Sequence, residues 1–288
     1  MQDRLFFALQ CGKNIPEKVD EERSLYGLND ILVDSCSFSG PKDGESPLKE
    51  CSNIDVQNCY FELRYPFWHN NNLIISKCEL TNLCRAALWY CKNVSIDNSL
   101  LHGIKALREC EYIQIHNCDI DSPEFGWFCH NIMIKDCKII GEYAFLKSAN
   151  LEMSNLNFSG KYSFQYVKNA IFENCEFNTK DAFWHGENII VKNSLIKGEY
   201  LAWYSKNITF INCKIIGTQP LCYCDDLKLI DCEMIDCDLS FEKSNVEATI
   251  INEMESIKNP LSGTIIVKGV NKIIIDDKNS LGKIIINK

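Results

Sequence analysis

From residue 29 onward the chain alternates apolar and polar positions in short runs, and the runs themselves recur. NNLIISKCEL, EYIQIHNCDI, HNIMIKDCKI, ENIIVKNSLI and KNITFINCKI share one template: Asn, aliphatic, any, aliphatic, any, Asn or Asp, Cys or Ser, any, large apolar. Its first position falls at Asn53, Asn72, Asn93, Tyr112, Asn131, Asn150, Asn169, Asn188, Asn207, Asp226 and Asn245, every step being 19 residues except one of 21 between Asn72 and Asn93. A fainter copy, NDILVDSCSF, begins at Asn29 or Asp30. The period-two alternation of Ile54 with Val56, or Ile113 with Ile115, is that of strands, and no run is long enough for a helix.

Nineteen residues holding three short apolar stretches between bends make one coil of a parallel β-helix, in which each strand pairs with its copies one coil above and below. A leucine-rich horseshoe is the chief competitor, and its Leu-x-x-Leu-x-Leu consensus is missing. The fold expected is all-β, a single-stranded solenoid of about 11–12 coils over residues 29–247. Residues 1–28 are expected to cap one end, and residues 248–288, which keep strand character but lose the period, to close the other.

Stacking at roughly 4.8 Å sets each side chain on its own copies. Asn58, Asn98, Asn117, Asn155, Asn174, Asn193 and Asn212 form one such column, expected to be an asparagine ladder at a bend that accepts left-handed backbone angles. Gly103, Gly141, Gly160, Gly198 and Gly217 mark a second bend, attributed to positive φ. The 17 cysteines would ordinarily suggest disulfides or metal sites, but 13 of them fall into two columns. Cys36, Cys59, Cys78, Cys118, Cys137, Cys175, Cys213 and Cys232 form one, and Cys51, Cys91, Cys110, Cys129 and Cys224 the other. Both suit tight inner corners and call for reduced thiols, hence a cytoplasmic setting. Cys222 and Cys224 lack the partner pair of a zinc site and read as structural.

The third stretch of each coil varies most. One column there holds Lys49, Trp68, Trp89, Arg108, Trp127, Leu146, Gln165, Trp184, Trp203, Cys222 and Phe241. Its neighbour holds Glu50, His69, Tyr90, Glu109, Phe128, Lys147, Tyr166, His185, Tyr204, Tyr223 and Glu242. In a regular strand only one of two adjacent columns faces water, and burial cost favours the Glu/His/Tyr column as the exposed one. Either way a ring-lined face results. The candidate binding residues are Trp68, His69, Trp89, Tyr90, Trp127, Tyr166, Trp184, His185, Trp203 and Tyr204, which suit the apolar faces of sugars or simply stabilise the stack. His69 and His185, both preceded by Phe-Trp, stand six coils apart, roughly 29 Å at the strand spacing, too far for one reaction.

Candidate chemistry clusters among Glu45, Glu50, Arg64, His69, Arg85, Lys105, Arg108, Glu109 and Glu124. Glu109 and Glu124 could stand at glycosidase separation, with Arg85 or Arg108 beside them to bind a uronate carboxylate or abstract a proton. The simpler account is cross-coil ion pairs among Lys105, Arg108, Glu109 and Glu124. No phosphate loop, nucleophile elbow or zinc helix motif is present, so no cofactor and no metal is expected. A net charge of -9 argues against nucleic acid. No run approaches a membrane span, and LFFAL at 5–9 is too short for a signal-peptide core.

The repeat resembles the pectin-lyase-like right-handed β-helices. ERSLYG, ESPLKE, LRYPFWHN, CRAALWY, GIKALREC, SPEFGWFC, GEYAFL and SIKNPLSG, spread over nearly the whole chain, resemble more closely a bacterial family known as domain of unknown function 3737. That resemblance implies right-handed coils in one domain. The polygalacturonase motifs are missing apart from Asp225-Asp226, which sits at a ladder position, so no catalytic residue is carried over. Two functions stay open: a cytoplasmic β-helix that binds or processes a uronic-acid-containing glycan, resembling polysaccharide lyases or glycoside hydrolases if it is an enzyme, or a non-catalytic scaffold presenting the same face to a protein.

Overall fold

The structure is a computed structural model and describes residues 7–10, 21–40 and 44–287, with only the backbone of 7–10. It contains two compact units, Met1–Gly141 and Glu142–Lys288. Each is a right-handed parallel β-helix, and no helix occurs among the described residues. In the first unit the six-residue strands Asn29–Asp34, Ser52–Gln57, Asn71–Ser76, Lys92–Asp97, Glu111–His116 and His130–Lys135 pair in parallel order. Ile31, Ile54, Leu73, Val94, Ile113 and Ile132 stand in register as one buried rung column. Phe7–Gln10 extends this sheet by pairing in parallel with Asn29–Asp34. The second unit repeats the arrangement from Ala149–Ser154 to Asp225–Ile235.

Apolar rungs fill the interior because each inward side chain meets copies of its own shape. Among the described residues twelve phenylalanines are fully buried, and Phe38 stacks on Phe61 at 4.6 Å while Phe164 stacks on Phe183 at 5.3 Å. Burying a side chain of this size contributes about 1.5–3 kcal/mol.

The template's first position is the better asparagine ladder. Asn53 donates to Asp30 at 3.0 Å and Asn72 to Asn53 at 2.8 Å, and in the second unit Asn188 donates to Asn169 at 3.0 Å and Asn207 to Asn188 at 2.8 Å. The expected ladder also forms, for instance Asn212 to Asn193 at 2.9 Å. Both columns lie at positive φ, from Asn53 at 54° and Asn58 at 52° onward, so each coil has two left-handed corners flanking its first strand.

The cysteine columns supply hydrogen-bond acceptors to the coil before. The backbone N–H of Cys118 meets Cys137 Sγ at 3.4 Å, and those of Cys91 and Cys110 meet Cys110 Sγ and Cys129 Sγ at 3.3 Å each. Serine does the same where it replaces cysteine, as Ser99 Oγ accepts from Cys78 at 3.0 Å and Ser194 Oγ from Cys175 at 3.0 Å. A small buried side chain with a lone pair is what the corner requires. Among the described residues fifteen cysteines are free and buried, but Cys36, expected as a thiol, is disulfide-bonded.

Two further expectations change. The bend glycines divide: Gly198 and Gly217 are at positive φ, 153° and 137°, as expected, while Gly103 and Gly141 are not, and a close approach limits them all, a Cβ on Gly103 coming 2.4 Å from the carbonyl oxygen of Cys84 and one on Gly198 1.8 Å from that of Thr179. Gly160 lies inside the strand Asn157–Lys161. Near the C-terminus the period breaks by one residue: Tyr223 N–H bonds to Glu242 O, so Glu242 and Lys243 occupy the two third-segment columns where Phe241 and Glu242 were expected, and Phe241 turns into the core. Past residue 247 strand pairing continues in parallel, Asn245–Lys258 with Ser262–Ile274 and the latter with Lys283–Ile286.

Two outcomes follow from these contacts. Gly198→Ala should lower stability by at least about 2 kcal/mol, read as a lower urea midpoint at unchanged m-value. On the first unit's surface His116 bridges three coils, Nδ1 to Asp97 at 2.7 Å and Nε2 to Asp136 at 3.2 Å. The hydrogen bond to Asp97, then that to Asp136, holds its pKa above the ordinary 6.5. A raised folded-state pKa contributes stability that is full below the unfolded value and is lost as pH rises through the folded one. Melting temperature should therefore fall between pH 6 and pH 8, and His116→Gln should flatten that slope; an identical slope in the variant would remove the bridge from the account.

Candidate functional site

The third segment of most coils is a run of tight turns, although Leu88–Trp89 and Leu107–Arg108 form a short parallel pair in the first unit. In the second unit it places every other residue in the left-handed region: Tyr162, Phe164 and Tyr166 at φ 56°, 59° and 57°, then Asp181, Phe183 and His185 at 55°, 60° and 54°. Such angles cost a bulky side chain roughly 1–2 kcal/mol apiece. They are held by hydrogen bonds to the following coil, Tyr166 N–H to Trp184 O at 2.8 Å and His185 N–H to Trp203 O at 2.9 Å. Because the same angle recurs coil after coil, the strain belongs to the architecture and marks no single reactive residue.

This geometry overturns the premise that only one of the two adjacent columns can reach the surface. A left-handed residue breaks the alternation of a strand, so Trp184 is half-buried on the outer face, His185 beside it is exposed, and the buried position falls to Phe183. The Glu/His/Tyr column is indeed the more exposed, with Tyr166 at 43% and Tyr204 at 46%.

Both columns spend their ring faces on one another. Trp68 stacks on Trp89 at 5.1 Å and Trp184 on Trp203 at 5.5 Å, and each of these four indole N–H groups donates to a backbone carbonyl, Trp68 to Ala86 at 2.6 Å and Trp203 to Gln219 at 2.7 Å for example. Where a ring is missing a cation fills the gap: the Arg108 guanidinium lies 5.0 Å from the Trp89 ring and 5.5 Å from that of Trp127. His69 stacks on Tyr90 at 4.8 Å. In the second unit Tyr166, His185, Tyr204 and Tyr223 form one continuous stack at 4.7, 5.1 and 4.8 Å. No sugar ring fits between rings at this separation, so the expected face-on stacking is unavailable there and the exposed edges, hydroxyls and imidazoles remain.

The four candidate catalytic residues divide between separate interactions. Glu109 pairs with Arg108 at 3.2 Å within one coil, and Glu124 with Lys105 at 3.3 Å across coils. Arg85 is exposed and forms no ion pair among the described residues. Each carboxylate is thus tied to its own cation and not to a shared acid–base site, with only the Lys105–Glu124 pair crossing coils as the ion-pair account expected. Cys222 and Cys224 are buried, and burial pushes both thiols up to about 12, which keeps them protonated and inert as nucleophiles. His69 and His185 fall in different units, each inside its own ring stack.

Sequence counting placed Lys147 at one end of the second unit's ring stack but missed Lys243 at the other. In structural order that column reads Lys147, Tyr166, His185, Tyr204, Tyr223 and Lys243, with Lys147 Nζ 5.8 Å from the Tyr166 ring. The 19-residue count would have put Glu242 at its end. The extra residue before Leu239 is legible only from the hydrogen bonds that fix the register, Gln219 N–H to Asp238 O among them.

The fold is shared with solved structures. PfbA, a surface adhesin of Streptococcus pneumoniae, is similar with a TM-score of 0.51 at 11% identity over 88% of this chain and 81% of that one. The tailspike of Escherichia coli bacteriophage HK620, solved in complex with a hexasaccharide, gives a TM-score of 0.42 at 10% identity over 89% of this chain and 60% of that one. The A-module of the Azotobacter vinelandii mannuronan C-5 epimerase AlgE4 gives 0.34 at 11% identity, over 81% and 80%. At such identity the likeness is one of fold alone. No curated protein matches the sequence. Residues 14–286 match the model of one family, described as a protein of unknown function, and the chain belongs to it: DUF3737.

Proposed function

We infer that the chain binds a uronic-acid-containing glycan without cleaving it, along the exposed third-segment column of the second unit. The observation that carries this reading is the column's composition and register: four polar-edged rings in contact at 4.7–5.1 Å, a lysine at each end, and no carboxylate within the column. Ring edges repeating once per coil offer hydrogen bonds at a constant interval to a polymer lying parallel to the stack. Its five spacings cover roughly 24 Å at the strand separation, enough for several sugar units. Lys147 and Lys243 would attract carboxylates, and the exposed His185 edge adds a hydrogen-bonding group between them. Binding without turnover is favoured because the column holds no carboxylate, while the candidate catalytic pair Glu109 and Glu124 belongs to the other unit and each is engaged by a different cation. We also propose a cytoplasmic setting, which the fifteen free buried thiols support and the disulfide at Cys36 does not.

Calorimetric titration of the full chain with tetragalacturonate tests this. Tyr204→Ala should weaken binding about five- to tenfold, the worth of one or two hydrogen bonds, and Lys147→Ala should weaken it further at low salt than at high salt. Reducing ends should not accumulate, and Glu109→Gln should bind as the natural chain does. Absence of binding across uronate oligomers would leave the protein-scaffold reading in its place.

A further inference from the structure

A second surface of the first unit carries a concavity of about 330 Å³, on the outer face of the six-residue strands and away from the ring columns. One wall is the ladder of Asn53, Asn72 and Asn93; the floor is made by Asp55, Ile74 and Ser95, and Tyr112 and Gln114 close one end. It spans four coils, roughly 14 Å at the strand spacing, and its volume lies at the small end of the range for ligand sites.

Its chemistry is specific. The backbone beneath is spent, since Ile54, Leu73, Val94 and Ile113 pair in unbroken register, so no added strand can be recognised there. Only side chains are left to bind. The ladder ends in the groove: Asn93 donates to Asn71 and Asn72 at 3.1 Å each, but the next rung is Tyr112, which has no amide, and Asn93 Oδ1 receives no donor among the described residues. Asp55 Oδ2 accepts from Gln57 at 2.8 Å, while its Oδ1, shut from water, has no partner there. Ile74, 48% exposed, and Tyr112, 55% exposed, add apolar surface. No Lys, Arg or His lines the groove, and Asp55 makes it anionic.

We propose that this groove is a binding site for a neutral oligosaccharide. Sugar hydroxyls both donate and accept, which matches a surface of amides, one hydroxyl, one carboxylate oxygen and one phenol. A uronate or a phosphate would meet Asp55 with no cation to offset it. The site does not depend on the ring-column reading, and it takes a neutral ligand where the ring column takes an anionic one.

The test is titration of the full chain with cellotetraose and with tetragalacturonate in a Lys147→Ala/Lys243→Ala background, which weakens the ring column. Cellotetraose should bind there at least about tenfold tighter than tetragalacturonate, a difference of about 1.4 kcal/mol. Ser95→Tyr, which fills the floor, should abolish cellotetraose binding. Gln114→Ala should weaken it at least about threefold and, as an exposed substitution, decides the matter should the tyrosine variant fail to fold. Cellotetraose binding that survives both substitutions, equal affinity for the two probes, or no cellotetraose binding would each overturn the groove. Uronate binding to the natural chain is read separately, and its loss defeats only the ring-column reading.

Discussion

Every coil must hand its backbone N–H and C=O groups to the coils beside it, and that demand shapes the rest of the molecule. Parallel pairing satisfies the strands, but at the corners the chain must turn while its donors still point along the stack. Left-handed residues achieve this, at asparagine where the side chain can add its own ladder bond, and at tyrosine, phenylalanine or histidine where only the N–H bond to the neighbouring coil compensates. The cysteine columns meet the same need from the inside, accepting a donor that the turn would otherwise bury without a partner. Serine can replace cysteine at Ser99 and Ser194 for that reason.

Column membership was legible in the sequence because it depends only on counting. That Trp68 stacks on Trp89, that Cys118 lies against Cys137, and that Asn212 follows Asn193 all come from a fixed interval and the strand spacing. What counting cannot give is the sign of φ. Nothing intrinsic to Tyr166 or His185 favours a left-handed backbone; the bonds to Trp184 and Trp203 impose it, and these belong to the stack. The two-column choice therefore could not be settled from alternation, since alternation itself fails there. Gly103 was noticed for the right residue and the wrong cause, because a carbonyl of the preceding coil, Cys84, sets the limit on its Cβ. The one-residue slip that brings Lys243 to the surface and Phe241 into the core was invisible for a related reason: a local insertion moves the register without disturbing the strand pattern on either side.

The candidate site was legible in its residues and not in their use. Aromatic rungs advertise a sugar-binding strip, yet stacking at the coil spacing consumes the faces that a sugar would need, and indole donors that might have met a ligand are committed to carbonyls. The carboxylates likewise look catalytic until each is seen beside its cation. A half-exposed ion pair at the surface contributes little stability, but it removes the lone, poised group that acid–base chemistry requires.

The same economy explains why recognition falls to interruptions in the columns. A perfect ladder satisfies itself, each amide donating to the next and each ring covered by the next, and so offers a ligand only its edges. Where a column changes residue type, an acceptor or a charge is released: Asn93 loses its donor because Tyr112 follows, and the ring stack of Tyr166 to Tyr223 stops at lysines instead of a further ring. Repetition builds the scaffold, and the departures from repetition are where hydrogen-bonding capacity and charge are left over for a partner. Asp55 and Lys147 stand at two such departures and carry opposite charge, which is the physical reason to expect ligands of different charge at the groove and at the ring column.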